Sequence, residues 1–248
     1  MLRSIGLLLF TGVVFAAGTV TNDTRISSTV LGYDLQYRVY APAGYDSLSD
    51  LPVLYLTDGP GFISEGRMPH VLDKLIADQN IGPIVAVFVD ARNPDNLRDN
   101  RRNAQFLCNK EYLKFYVDEL IPEIEENYPV NSSREGRAIM GLSFGGLNAA
   151  CFGLFGVDTF SGLGMLSPAN HPVPALLSAY AEMPLLPLKI FLSTGRPDDN
   201  TQANRKFRTV LQEKGYDMKY IEVTQDHNWD NWRPLLDDVL LYFYAREK

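Results

Sequence analysis

Cysteine and histidine are scarce in this chain, which limits the number of possible disulfides and of possible catalytic bases. Among 248 residues there are 2 cysteines and 3 histidines. Two cysteines allow at most one internal disulfide, between Cys108 and Cys151 in an oxidising compartment. The alternative is that Cys151 is a buried thiol that packs as a small apolar side chain. Three histidines leave few candidates for a general base.

Positive charge is also in short supply. The chain has 23 Lys and Arg residues against 30 Asp and Glu residues, which gives a formal net charge of −7. No stripe of basic residues matches the spacing of a phosphate backbone, so nucleic acid is not an expected partner. With 46% hydrophobic residues, the composition is that of an ordinary globular protein. A chain of this length is expected to form one domain with one sizeable core.

The amino terminus has no hydrophobic run long enough to span a membrane comfortably. Its apolar stretch, residues 5–17, is about 13 residues long, whereas a spanning helix needs ~20. Arg3 precedes the stretch, and the small-residue patterns Val14-Phe15-Ala16 and Ala16-Ala17-Gly18 end it. This arrangement predicts a secretory signal peptide over residues 1–18 and a secreted or periplasmic domain over 19–248, with no stable membrane insertion after cleavage. An uncleaved anchor is the alternative.

Buried strands alternate with helical patterns along the rest of the chain. Continuous apolar runs predict buried parallel strands at 52–59, 84–90, 162–166 and 188–193, with a shorter strand at 220–223. Helical periodicity covers 69–78, 110–128 with a kink at Pro122, 201–214 and 230–244. An alternating antiparallel strand at 35–40 precedes them, and 91–109 and 168–187 are predicted to be a polar loop and a Pro-rich segment. The order predicts a single α/β domain whose mostly parallel sheet carries helices on both faces.

The segment Gly141-Leu142-Ser143-Phe144-Gly145 joins one of these strands to a helix. The strand is the apolar run at 138–140, and small and apolar residues follow the segment at helical spacing. A serine between two glycines at such a junction is typical of a nucleophile elbow, in which a sharp turn raises the hydroxyl above the sheet. Ser143 is therefore the candidate nucleophile. The alternative is a Gly-rich turn whose serine caps the next helix.

A serine nucleophile needs a base and a carboxylate that orients the base. His227 follows the last predicted strand, where α/β sheets place catalytic groups, and is the candidate base. His171 precedes the Pro-rich segment and His70 begins a helical pattern, so both are weaker candidates. For the carboxylate, Asp198 and Asp199 both follow the strand at 188–193. Because Asp199 is also placed to cap the helix beginning near residue 201, Asp198 is the preferred candidate and Asp199 stays open.

Acyl transfer also needs backbone amides that point at the developing oxyanion. One is expected from Phe144, the residue after the nucleophile. The other is expected from the turn at 58–62, from Gly59 or Gly61, because Pro60 has no N–H.

Four motifs together resemble a known family. They are Leu-Thr-Asp-Gly at 56–59, Gly-Leu-Ser-Phe-Gly-Gly at 141–146, Gly-Arg-Pro-Asp at 195–198 and His-Asn-Trp at 227–229. In this order they resemble the esterase D and enterochelin-esterase-like branch of the α/β-hydrolases. The resemblance implies a serine carboxylic-ester hydrolase with Ser143 as nucleophile, His227 as general base and acid, and Asp198 as its orienter, and it implies neither a metal nor an organic cofactor.

The branch includes siderophore esterases, feruloyl and acetyl esterases of polysaccharides, and acyltransferases. The expected partner is therefore a small-molecule or glycan ester. A single exported domain is similar to the periplasmic siderophore esterases, so the resemblance favours siderophore-type esters, with feruloyl or acetyl esters of polysaccharides, or acyl transfer, as the alternative. Phe62, Arg92 and Trp229 are candidate substrate-lining residues, and the arginines of the loop at 91–109 either meet an anionic ligand or pair with Asp95 and Asp99. Two departures from the family pattern, Pro60 in the oxyanion turn and Asp226 before the histidine, leave open a hydrolase-fold binding protein without turnover.

Overall fold

The computed structural model describes residues 16–246. Most of the predicted signal peptide, residues 1–15, lies outside the described residues. No helix within 16–246 combines the length and apolar character needed to cross a membrane.

Strands form one large sheet and one small hairpin over the described residues. The strands are β1 Thr19–Val20, β2 Thr24–Ser28, β3 Tyr33–Ala41, β4 Val53–Leu56, β5 Val85–Asp90, β6 Arg92–Asn93, β7 Asn96–Asn100, β8 Arg137–Leu142, β9 Gly162–Leu166, β10 Lys189–Thr194 and β11 Asp217–Glu222. In the range 16–246 the main sheet has nine strands in the order β1-β3-β5-β4-β8-β9-β10-β11, with β2 paired to β3, and β6 and β7 form the hairpin. The pairs from β5 to β11 are parallel, and those of β1, β2 and β5 with β3 are antiparallel.

Helices connect the parallel strands. They are α1 Gly59–Ser64, α2 Met68–Ala77, α3 Arg102–Phe106, α4 Lys110–Phe115, α5 Ile121–Asn127, α6 Phe144–Phe155, α7 Ala175–Glu182, α8 Thr201–Lys214, α9 Trp229–Trp232 and α10 Leu236–Tyr244. Two buried clusters of apolar side chains cover opposite faces of the sheet: one includes Leu113 and Ile124 of α4 and α5, and the other includes Leu72 and Val239 of α2 and α10. The predicted α/β domain with a mostly parallel, doubly covered sheet is confirmed.

The structure differs from the predicted elements in three segments. The loop predicted at 91–109 contains the hairpin and α3, and the Pro-rich segment at 168–187 contains α7. The helix predicted at 110–128 is divided by one π-helical segment, Tyr116–Leu120, just before Pro122. Proline lacks the N–H that would continue the α-helical hydrogen bonds, so the helix adjusts there.

The two cysteines are paired. Cys108, which follows α3, forms a disulfide with Cys151 in α6, with a Cα–Cα distance of 5.2 Å. The bridge that the sequence left open is therefore present, and it fastens α3 to the helix that begins directly after Ser143.

Candidate active site

Ser143 stands at a sharp turn between β8 and α6. Its backbone angles, φ 56° and ψ −120°, lie outside the regions that residues other than glycine favour. The turn needs glycine at 141 and 145, because a Cβ would clash with the Thr57 hydroxyl oxygen. That Cβ would lie 2.3 Å from the oxygen at Gly141 and 2.4 Å from it at Gly145. The turn has the strained strand-to-helix geometry of a nucleophile elbow.

The end of β9 holds the backbone of Ser143 on both sides. The Ser143 amide donates to the Leu166 carbonyl at 2.9 Å, and the Ser143 carbonyl accepts from the Ala169 amide at 3.1 Å. These two bonds place the turn at the carboxyl edge of the parallel strands, where ligands bind in open α/β sheets.

His227 meets Asp199 and not Asp198. His227 lies in the loop between β11 and α9, and its Nδ1 is 2.6 Å from Asp199 Oδ1. The Asp198 side chain is exposed, and only its backbone carbonyl contacts His227, accepting from the His227 amide at 3.2 Å. The preference for Asp198 rested on Asp199 capping α8, but the residue at the cap position is Asn200. Asp199 is therefore free to turn inward to the histidine.

Asp199 is held as a carboxylate by a ring of donors. Its side chain has no exposed surface. Burial by itself raises the pKa of Asp199, but hydrogen bonds from His227, Ser167 and the amides of Gly195 and Asn200 outweigh burial and hold this pKa well below its ordinary value. A carboxylate of this kind fixes the orientation of its histidine and stabilises the imidazolium form.

Ser167 and Asn231 belong to the site although the sequence analysis did not select them. The Ser167 hydroxyl donates to Asp199 Oδ2 at 2.6 Å and accepts from Trp232 Nε1 at 3.0 Å. The Asn231 side-chain amide donates to the same carboxylate oxygen at 3.2 Å. Ser167 follows β9 directly, so the strand-end rule that selected Asp198 and His227 would also have selected Ser167.

Ser143 and His227 are linked through this same strand end. Within residues 16–246 no hydrogen bond joins the two side chains. Leu166 holds the amide of Ser143, and its neighbour Ser167 holds Asp199, which holds His227. The nucleophile candidate and the histidine–carboxylate pair are thus anchored to two adjacent residues at the end of β9, its last residue Leu166 and the following Ser167.

The two candidate oxyanion segments differ in their amide groups. Phe144 is the first residue of α6, so its N–H lies outside the hydrogen bonds within the helix. The Gly61 amide already donates to the Asp58 carbonyl at 3.0 Å. Gly59, the first residue of α1, is the remaining candidate in that turn.

A pocket of about 410 Å³ opens beside the elbow. It is lined by Asp58, Pro60, Gly61, Ser64, Glu65, Asp90, Ala91, Arg92, Asn100, Arg102, Leu142 and Trp229. Leu142, the residue before Ser143, is among them, whereas Ser143, His227 and Asp199 are not. Arg92 and Trp229, two of the three candidate substrate-lining residues, line this pocket. Phe62 does not, because its side chain is fully buried and packs edge-on against Trp229 with 5.5 Å between ring centres.

Each arginine that lines the pocket is matched with a carboxylate. Arg92 donates to both oxygens of Asp90, at 2.8 and 2.7 Å, and Arg102 donates to both oxygens of Asp58. The predicted pairing of the loop arginines with Asp99 occurs at Arg101, at 3.1 Å. The predicted pairing with Asp95 is made from outside the loop by Arg25.

The other histidines lie apart from the triad candidates. His70 is exposed on α2, as its helical pattern indicated. His171 is exposed and lies against the Phe144 ring, with 5.7 Å between ring centres, so it borders the site.

Comparison with known proteins agrees with this fold. The model of the Esterase family, described as "Putative esterase", matches residues 28–243. The uncharacterised protein YjcH of Bacillus subtilis is 24% identical over 235 residues, which cover 90% of this chain and 96% of that protein. An endo-1,4-beta-xylanase/feruloyl esterase of Xylanibacter ruminicola is 27% identical over 212 residues, which cover 81% of this chain but 28% of that enzyme.

The fold is also found among solved structures. The enterobactin esterase of Shigella flexneri, solved in the presence of enterobactin, superposes with a TM-score of 0.80 at 22% sequence identity. The superposition covers 90% of this chain and 58% of that one. The family match extends over nearly all of the described residues, from β2 to α10. The chain therefore belongs to the Esterase family and has the fold of the α/β-hydrolases.

Proposed function

We propose that the chain hydrolyses carboxylic esters through an acyl-enzyme formed on Ser143, with His227 as the base and Asp199 as the carboxylate that orients it. The observation that carries the proposal is the 2.6 Å contact between His227 Nδ1 and a buried carboxylate whose pKa is held low. With Nδ1 engaged, the imidazole keeps Nε2 for proton transfer.

The reaction runs in two steps. Ser143 Oγ attacks the ester carbonyl carbon while His227 Nε2 takes the hydroxyl proton, and the collapse of the tetrahedral intermediate breaks the bond to the alcohol, which leaves with that proton. Water then attacks the acyl-enzyme and gives a proton to His227. The second tetrahedral intermediate collapses with cleavage of the bond to Ser143 Oγ, which takes that proton from His227, so that the carboxylic acid and free Ser143 are released. Asp199 stays ionised throughout and stabilises the imidazolium form of His227.

The oxyanion of each tetrahedral intermediate needs two donors. We assign the amides of Phe144 and Gly59, because Pro60 has no N–H and Gly61 donates to Asp58. A donor of this kind contributes ~3 kcal/mol to the stability of the transition state.

The first test is turnover of p-nitrophenyl acetate and butyrate by wild type, Ser143→Ala and Ser161→Ala. Ser161 lies before β9, at the opposite edge of the sheet, and is the matched control. We expect Ser143→Ala to lose turnover and fluorophosphonate labelling, and Ser161→Ala to keep both. A folded wild type with neither turnover nor label would contradict the proposal and favour a hydrolase-fold binding protein.

For the natural substrate we propose an uncharged acyl ester of the feruloyl or acetyl type on a sugar. The pocket offers two arginines, each matched with a carboxylate, and Glu65 adds a further acidic side chain. A ferric siderophore is polyanionic, and both arginines that line this pocket already form ion pairs with carboxylates of the protein. Hydrolysis rates of methyl ferulate, acetylated xylan and ferric enterobactin, measured under the same conditions, distinguish the three substrate classes. Product formation with an added sugar acceptor reveals acyl transfer. Preference for ferric enterobactin would contradict this choice.

Export to an oxidising compartment is proposed from the signal-peptide pattern and is consistent with the disulfide. Gly18 favours the earlier of the two cleavage patterns, since its amide donates to Asp73 at 2.7 Å and a Cβ there would lie 2.5 Å from the Tyr40 ring. Gly18 therefore packs as part of the domain. We expect the exported protein to begin at Ala17, and a start at residue 19 in N-terminal sequencing would contradict this expectation.

A further inference from the structure

Arg102 is the first residue of α3, and its guanidinium reaches into the site. Nε donates to Asp58 Oδ1 and Oδ2 at 2.8 and 2.9 Å, and Nη2 donates to the Leu142 carbonyl at 3.1 Å. The guanidinium also lies over the Phe144 ring, 5.3 Å from its centre. About one fifth of each side chain of the Arg102–Asp58 pair is exposed, 21% and 19%.

These contacts join the two turns that carry the proposed oxyanion donors. Leu142 and Phe144 flank Ser143 in the chain, so Arg102 touches the elbow on both sides of the nucleophile. Asp58 directly precedes Gly59 and has a left-handed backbone, with φ 57°. No other side chain in the described residues hydrogen-bonds both Asp58 and a residue of the elbow.

We propose that Arg102 is a positioning residue that sets the separation of the Phe144 and Gly59 amides, and so the geometry of the oxyanion site. The inference rests on the proposed function, because it assigns a task to Arg102 within that reaction. Because Asp58 neutralises the charge of Arg102, Arg102 contributes to the oxyanion site by positioning the two turns and not by its charge. Oxyanion donors act only within about 2.7–3.1 Å of the developing charge, so a small change in this separation lowers the rate.

Arginine suits this task and lysine does not. The planar fork directs Nε to the carboxylate and Nη2 to the carbonyl at the same time. A lysine ammonium is a single point of charge on a flexible stem and cannot fix the relative orientation of the two turns. The disulfide from Cys108 to Cys151 holds the other end of α3 to α6, so α3 is fixed against the nucleophile helix near both of its ends.

The test compares kcat and KM for p-nitrophenyl acetate in wild type, Arg102→Met, Arg102→Lys, Asp58→Asn and the double variant Arg102→Met/Asp58→Asn. Arg101→Met is the matched control, since Arg101 is exposed to nearly the same degree, 22%, but pairs with Asp99 and lies over the Tyr33 ring. Thermal unfolding is measured for each variant. Arg102→Lys keeps the positive charge, so it still tests the role of the guanidinium group if Arg102→Met fails to fold.

We expect kcat of Arg102→Met to fall by about 10²-fold, the scale of one lost oxyanion donor, with KM changed by less than about threefold. Arg102→Lys recovers less than a tenth of the lost kcat, and the double variant is no slower than the slower single variant, because both remove one link. Guanidinium ion added to Arg102→Met restores part of kcat. Arg101→Met stays near wild type.

Three results would overturn the inference. The first is a folded Arg102→Met with wild-type kcat, and the second is a change confined to KM, which would mean substrate binding. The third is a strictly additive double variant. Ser143→Ala is measured in the same series, and full turnover in that variant would overturn the proposed function and the role of Arg102 with it.

Discussion

At the scale of single residues, the turn at Ser143 depends on close contacts at the end of β4 that only glycine allows at the neighbouring positions. The serine has φ 56°, and Gly141 and Gly145 approach the Thr57 side chain too closely for any Cβ. Strain of this kind costs roughly 1–3 kcal/mol and persists when surrounding contacts enforce it. Hydrogen bonds to Leu166 and Ala169 supply that enforcement here.

Gly145→Ala tests this close approach. The new Cβ would lie 2.4 Å from the Thr57 hydroxyl oxygen, so the elbow or β4 must shift. We expect the free energy of unfolding to fall by about 1–3 kcal/mol, with a larger proportional loss of kcat, as urea unfolding and ester kinetics measure. Gly82→Ala is the control, because no atom lies within 4 Å of its Cβ. Equal effects at the two positions would refute the steric explanation.

At the scale of elements, α3 and α6 act as one unit behind the nucleophile. The disulfide joins residues 43 positions apart, and Arg102 ties the start of α3 to both neighbours of Ser143. The predicted polar loop at 91–109 therefore supports the site through a helix that the sequence analysis did not identify. Five residues with no clear apolar periodicity are too few for a pattern-based prediction of helix.

Removal of the bridge by Cys108→Ser/Cys151→Ser is expected to destabilise the chain. Closing a loop of this length removes unfolded-state entropy equivalent to about 4 kcal/mol, and measured values are commonly 2–4 kcal/mol. Denaturant unfolding of the double variant, and of the wild type with a thiol reductant, should show the same loss. A double variant as stable as oxidised wild type would exclude a structural role for the bridge.

At the scale of the whole molecule, the sequence was sufficient to predict the mostly parallel sheet, whereas the roles of Ser143 and His227 stay predictions. Continuous apolar runs identify β4, β5, β9 and β10 because strands buried on both faces need apolar side chains throughout. The choice between Asp198 and Asp199 could not be predicted. It depends on how the chain turns after Gly195, whose amide binds Asp199, and on donors from β9 and α9 that lie far away in sequence.

The same limit explains the lining residues. Arg92 and Trp229 border the pocket, whereas Phe62 faces the core because α1 turns that side of the helix toward the sheet. Aromatic side chains in a short helix have no sequence signal that separates core from cleft. The ion pair of Arg102 with Asp58 likewise joins residues 44 positions apart, which only the tertiary fold brings together.

The central claim is that Ser143 is activated by His227 oriented by Asp199, and the most direct measurement is kcat/KM of Asp199→Asn beside Asp198→Asn. The two carboxylates are neighbours, but only Asp199 contacts the His227 ring. Replacing the orienting carboxylate by its amide leaves the wrong tautomer and costs roughly 10⁴-fold in rate in a well-studied serine hydrolase. We therefore predict a fall of about 10³–10⁴-fold for Asp199→Asn and less than about threefold for Asp198→Asn. The reverse order, or equal and small effects in two folded variants, would contradict the account.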